Sequence, residues 1–265
     1  MYSKWQLATK YLSYYLTASN GKGHGMHSPF VFHFITNVLN NKQHYSEYDK
    51  VEELRRCMLK DQTVLTIEDF GAGSAISKTN QRTVATIAKN SAKPKKFGQL
   101  LFRIAREYQP QTILELGTSL GITTSYLALA KPDAIIITLE GASEVADVAN
   151  KNFQSLGFQN ISIEKGNFDN TLSSVIRKHP SVDFAFIDGN HRQEPTERYF
   201  AALLPEINNK SILIFDDIHW SKEMEQAWET IKNHPSVRCT VDLFFIGIVF
   251  FREEFHEKQH FSIRL

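Results

Sequence analysis

Two apolar runs in this chain end in carboxylates, and a histidine follows each. Val182-Asp183-Phe184-Ala185-Phe186-Ile187 leads into Asp188-Gly189-Asn190-His191, and Ile212-Leu213-Ile214-Phe215 leads into Asp216-Asp217-Ile218-His219. Short apolar runs bounded by turn residues read as buried strands. In open α/β sheets, ligands gather beyond the C-terminal ends of such strands. Three carboxylates converging there repel one another unless they take up protons or a cation sits among them. Oxygen-only ligands favour a hard ion such as Mg²⁺, Ca²⁺ or Mn²⁺, and a nearby histidine is suited to moving a proton near neutral pH. Asp188, Asp216 and Asp217 are therefore the candidate metal ligands. His191 and His219 are the candidate bases, and Trp220 is a candidate substrate wall. The same residues also suit plain helix capping by Asp188 and Asp217.

A second constellation lies upstream. Thr112-Ile113-Leu114-Glu115-Leu116 reads as a strand. It breaks at Gly117, passes Thr118 and Ser119, and resumes at Gly121 as a helix. The next apolar run, Ala134 to Leu139, ends in Glu140-Gly141. Strand, glycine turn, helix and acid-tipped strand together form a nucleoside-binding half of a doubly wound fold. The acid can accept two hydrogen bonds from a ribose diol. The turn lacks the full GxGxxG of a dinucleotide site, because Ser119 replaces the middle glycine; a ligand without a pyrophosphate fits better.

The elements that must position these residues alternate along the chain. Strands are predicted at 112–116, 134–139, 161–165, 183–187 and 211–215. Helices are predicted at 121–131, 143–156, 170–179, 193–204 and 221–233, after one through Phe97, Leu100, Leu101, Ile104 and Ala105. This is the pattern of an α/β, doubly wound, mostly parallel sheet. Arg238–Phe245 and Gly247–Arg252 read as a closing antiparallel hairpin turning at Ile246-Gly247. Residues 1–95 read as a helical extension that serves as cap, lid or homodimer contact, and residues 96–265 as the catalytic domain. Within the extension, Ser28-Pro29 marks a helix start, and Tyr48 to Leu59 is another helical stretch. Val64 to Ser74, which contains the letters Asp69-Phe70-Gly71, reads as a loop.

At 265 residues and 42% apolar composition, the chain can bury a sizeable core. It has no apolar run of the roughly 20 residues that span a bilayer and no signal-like leader, so a cytoplasmic protein without a membrane partner is expected. Cys57 and Cys239 read as free thiols. Charge is uneven: residues 1–110 hold 16 Lys/Arg and 8 Asp/Glu, and residues 111–265 hold 14 and 21. Apart from Lys93, Lys95 and Lys96 the basic charges are scattered. They read as a solvated surface, and nucleic acid is not an expected partner.

The run Glu115-x-Gly117-x-Ser119-x-Gly121, followed by Glu140, resembles the cofactor motif of class I S-adenosylmethionine (SAM) dependent methyltransferases, whose Rossmann-like sheets also end in an antiparallel pair. The two acid-tipped strands resemble those of the metal-dependent O-methyltransferases of the catechol, caffeoyl-CoA and macrolide-sugar type. The resemblance spans about residues 97–252. It implies SAM contacts at Glu115, Gly117, Thr118, Ser119, Gly121, Glu140, Asn167, Phe168 and Asp188. It also implies a divalent ion, Mg²⁺ or similar, on Asp188, Asp216 and Asp217, and a small-molecule hydroxyl as methyl acceptor. The catechol enzyme's base is a lysine three residues after the first metal acid; that position here is His191, which leaves the acceptor class open. A metal-independent N- or O-methyltransferase, a nucleotide-dependent enzyme on the same architecture, and a non-catalytic or RNA-directed methyltransferase-fold protein are the alternatives.

Overall fold

The computed structural model describes residues 1–67, 81–179 and 181–265. The Asp69-Phe70-Gly71 letters, and most of the loop expected around them, lie outside the described residues. In chain order the helices are α1 (Lys4–Thr17), α2 (Pro29–His33, continuing as a π-helical turn over Phe34–Leu39), α3 (Ser46–Met58), α4 (Val84–Asn90), α5 (Lys95–Tyr108), α6 (Ile122–Ala130), α7 (Ser143–Ser155), α8 (Phe168–Lys178), α9 (Gln193–Leu203) and α10 (Lys222–Asn233). The strands are β1 (Val64–Thr66), β2 (Gln81–Thr83), β3 (Thr112–Leu116), β4 (Ile135–Glu140), β5 (Ile161–Lys165), β6 (Phe184–Ile187), β7 (Ile212–Asp216), β8 (Cys239–Asp242), β9 (Ile246–Phe250) and β10 (Gln259–Ser262). Strands β3 to β10 belong to one mostly parallel sheet, and β1 and β2 form a separate antiparallel pair. This is the α/β architecture expected from the alternating pattern.

The residues cluster into two compact units, one of residues 42–179 and one of residues 1–41 with 180–265. This division is not the one drawn at residue 95 from sequence pattern. In the first unit β3, β4 and β5 are parallel neighbours, with Leu116 opposite Leu139 and Glu140 opposite Lys165. The glycine turn after β3 and the acid at the end of β4 therefore lie at the same end of adjacent strands. Much of the expected extension packs onto this unit. The Tyr48 ring meets the rings of Phe102 and Tyr126, and the Tyr126 hydroxyl donates to Glu52 at 2.7 Å. Leu65, Val84, Ile87 and Ala88 share a core with Leu120 of the glycine turn and with Ala142 and Val145.

In the second unit β6 and β7 run parallel, with Ile187 opposite Phe215. Strand β9 pairs antiparallel with both β7 and β8, and β10 adds a parallel strand beside β8 that the sequence pattern did not suggest. The hairpin turns at Leu243–Phe245, where Phe244 has φ 70°, and not at Ile246-Gly247. Gly247 lies inside β9, and glycine is required there because the Trp228 ring would sit 2.7 Å from a Cβ. A glycine read as a turn here marks a close approach of a ring to a strand. Helix α2 starts as expected, with the Ser28 hydroxyl accepting from the Val31 N–H and Pro29 in the first turn. Phe30 and Phe34 carry that segment onto Phe250. Both cysteines are free, and burial pushes the Cys239 thiol up to about 12. Among the described residues no helix is long and apolar enough to cross a membrane.

Candidate active site

The glycine turn is held by backbone geometry before any ligand is considered. Gly117 has φ 108°, Ser119 φ 47° and Gly121 φ 78°, values that favour glycine or short polar residues. The Gly117 and Thr118 N–H groups donate to the Leu139 carbonyl at 3.0 and 3.1 Å. Gly121 begins α6, and a Cβ there would lie 2.4 Å from the Phe153 ring. Close packing against α7, as well as the turn itself, therefore requires glycine at 121. The Glu140 carboxylate accepts from the Ser119 N–H at 2.8 Å with one oxygen and from the Ala142 N–H at 2.9 Å with the other. It thus ties the turn after β3 to the start of α7.

Glu115 and Thr118 play a different part from the one expected. Glu115 is fully buried. Its carboxylate accepts from the hydroxyls of Thr124 and Thr138, the latter at 2.6 Å, and Thr138 also pairs with Thr118 at 2.6 Å. Both residues stand behind the turn and brace it. Asn167 caps α8, its side chain accepting from the Asp169 N–H at 3.0 Å, which starts that helix two residues earlier than predicted. Phe168 is the first residue of α8 and half-buried.

The parallel pairing of β6 with β7 places Asp188 and Asp216 at neighbouring strand ends. Asp216 is buried, whereas Asp188 and His191 are partly open to solvent. One donor atom from each of Asp188, His191 and Asp216 lies within 4.8 Å of the others. The His191 Nε2 is 3.6 Å from an Asp188 carboxylate oxygen, too far for a hydrogen bond. Asn190, at φ 53°, makes the turn that brings the ring back toward the strand tip. Two carboxylates and one imidazole at these separations fit a divalent cation.

Asp217, expected as the third ligand, is not part of this group. Its backbone has φ 54° and its N–H donates to the Phe245 carbonyl at 2.7 Å. The gathered donors are thus two oxygens and an imidazole nitrogen, where three carboxylates were expected.

His219 is also separate from the group. Its Nε2 is 2.8 Å from Asp242, its Nδ1 is 3.1 Å from Glu225, and its ring stacks on Phe244 at 5.0 Å. Glu225 also accepts from the Tyr2 hydroxyl at 2.7 Å and from Lys10 at 3.0 Å. Glu225 therefore links the His219 ring to Lys10 of α1 and to Tyr2, a connection that sequence spacing did not suggest. Only the ring's partners, Glu225 on the following helix and the more distant Asp242, reveal this role.

Burial disfavours the charged His219 ring, but hydrogen bonds and charge from Asp242 and Glu225 outweigh it, and the pKa is raised. A folded-state pKa above the unfolded value of about 6.5 means that the stabilisation is fully present below that value and is lost as pH rises through the raised one. Amide exchange along α1, corrected for intrinsic rate, should therefore accelerate as pH rises above neutrality. His219→Ala should remove this pH dependence, leaving the remaining α1 contacts in place. Wild-type protection that stays constant from pH 6 to 9 would refute the fastening role.

Residues 114–218 match a family described as a methyltransferase domain. A catechol O-methyltransferase of Niastella koreensis is 29% identical over 146 residues, 54% of this chain and 65% of that protein. The chain therefore spans slightly under two thirds of that relative's length. Methyltransferase PaMTH1 of Podospora anserina, solved with S-adenosylhomocysteine, superposes with a TM-score of 0.60 at 14% identity over 86% of this chain and 97% of its own. An O-methyltransferase of Bacillus cereus, solved with the same product, does so with a TM-score of 0.56 at 18% identity over 83% and 97%. At these identities the two structures show a shared fold. The glycine turn and the acid-tipped β4 lie within the matched residues, so residues 114–218 of this chain are similar to a methyltransferase domain, on a fold shared with those solved methyltransferases.

Proposed function

We propose that this protein transfers a methyl group from SAM to a hydroxyl of a small molecule, assisted by a divalent cation. The observation that carries this reading is the convergence of Asp188, His191 and Asp216 at the ends of β6 and β7. Plain helix capping does not require three ligating side chains from two strands to gather at one point. The Niastella relative, named for methylation of a catechol, supports a hydroxyl acceptor.

In this mechanism Glu140 takes the ribose diol, and the Gly117–Gly121 turn lets the cofactor approach the backbone closely. Bound SAM supplies the methyl group, and a bound divalent cation lowers the pKa of an acceptor hydroxyl. Asp188 and Asp216 would hold that cation, and His191 would take the hydroxyl proton at Nε2. The oxygen would then form its bond to the methyl carbon as the carbon–sulfur bond breaks, with S-adenosylhomocysteine as the leaving group. Positioning and electrostatics supply most of the rate. Thermal shift with SAM, S-adenosylhomocysteine, NAD and ATP, each with and without Mg²⁺ or Mn²⁺, tests the reading. Stabilisation by SAM and its product is expected, and stabilisation by NAD alone would overturn the proposal.

Glu140→Ala should weaken SAM binding roughly 10- to 150-fold, the range for hydrogen bonds to a charged group. Because Glu140 also accepts from Ser119 and Ala142, the alanine loosens the turn itself. Glu140→Gln keeps an oxygen acceptor and should retain the melting temperature better while still losing affinity. Calorimetry that finds wild-type affinity in both variants would remove Glu140 from the ribose site.

A further inference from the structure

Helix α1 is apolar on two opposite faces. Leu7, Lys10, Tyr11, Tyr14 and the following Ala18 recur at helical spacing on the inner face, where the Tyr11 and Tyr14 rings meet Phe244. The Tyr14 hydroxyl also donates to the Asp242 carbonyl at 3.0 Å. Trp5, Leu12 and Leu16 fall together on the outer face at i, i+7 and i+11. They are 83%, 58% and 70% exposed, and no residue of α1 is fully buried. One large exposed apolar side chain is ordinary; three on one stripe, led by a tryptophan, mark an interaction face.

The charge around this face indicates its partner. The first 46 residues hold four lysines and no Asp or Glu. Lys10 is engaged by Glu225, while Lys4 is exposed in the first turn of α1, beside the stripe. Two copies meeting through this face would bring like charges together, whereas an anionic surface would meet opposite ones. A Trp/Leu stripe with Lys4 in its first turn and Arg264 against Tyr15 and the Leu16 carbonyl at its end, on a helix too short and polar to span, suits a helix that lies in a membrane interface. The expectation of no membrane partner rested on the lack of a spanning segment, and a helix lying in the interface is a separate case.

We propose that the outer face of α1 docks this protein on anionic lipid surfaces, with Trp5, Leu12 and Leu16 entering the headgroup boundary. The test is co-sedimentation of the full chain with vesicles of phosphatidylcholine alone and of phosphatidylcholine with phosphatidylglycerol. Wild type should partition onto the anionic vesicles, and less so at high salt. Trp5→Gln/Leu12→Gln/Leu16→Gln should lose at least about tenfold in partitioning with an unchanged melting temperature, since all three side chains are exposed and glutamine is a good helix former. Lys4→Glu should also weaken binding, although an acid in the first turn favours the helix, so melting of α1 could not explain that loss. No partitioning by wild type would overturn the proposal. So would ultracentrifugation that finds a wild-type dimer and a monomeric triple variant, or binding to polyuridylate and not to vesicles. None of these measurements depends on methyl transfer.

Discussion

Asp216→Ala is expected to abolish divalent-ion dependence and to lower turnover by on the order of 10³-fold or more, because metal assistance supplies several kcal/mol of charge stabilisation. Asp216 is buried at the end of β7 and its donor atom is grouped with those of Asp188 and His191. A buried carboxylate kept only for structure would lower the melting temperature when removed. A carboxylate kept for a cation has a further signature: its removal should abolish the stabilisation that Mg²⁺ or Mn²⁺ gives the wild type. Asp188→Ala should give the same loss of turnover, and chelation of wild type should mimic both, with Mg²⁺ or Mn²⁺ restoring activity. SAM affinity should change much less. Full turnover after exhaustive chelation would favour a metal-free mechanism in which the acids hydrogen-bond the acceptor.

His191→Ala is expected to lower the single-turnover rate at saturating SAM by roughly 10²–10⁴ near neutral pH, the range for general-base catalysis. The rate should recover in part at high pH, where the acceptor hydroxyl ionises unaided. The structure places the ring close enough to the carboxylates to do either of two things: take a proton from an oxygen held there, or ligate the ion itself. Metal titration separates these roles. A base can be removed with little change in the metal midpoint. A ligand cannot, and a shift of tenfold or more, with a rate restored by excess Mn²⁺, would make His191 the third ligand in place of Asp217. His219→Ala should leave the chemical step nearly intact, because Glu225 and Asp242 already occupy both ring nitrogens.

The local grammar of the chain was enough to place most elements. Strands β3 and β5 lie at their expected bounds and β4, β6 and β7 within one residue, because short apolar runs cut by glycine or carboxylate have few alternatives. The Ser28-Pro29 helix start and the acid tips of β4, β6 and β7 were legible for the same reason: capping and strand termination depend on neighbours in sequence. The use made of each side chain was not legible. Asp217 and His219 follow Asp216 as closely as His191 follows Asp188. Yet Asp217, with its left-handed backbone, is not among the gathered donors, and Glu225 and Asp242 claim the ring of His219. Gly247 reads as a turn in isolation and as a strand residue once Trp228 packs on it. Glu115 reads as a ligand contact and proves to be a buried brace for the threonines around it. Sequence spacing determines which residues reach a strand tip. Tertiary contacts decide which of them stay available there, because a hydrogen-bond partner or a packed ring from a distant segment sets a side chain's direction and has no trace in the local pattern.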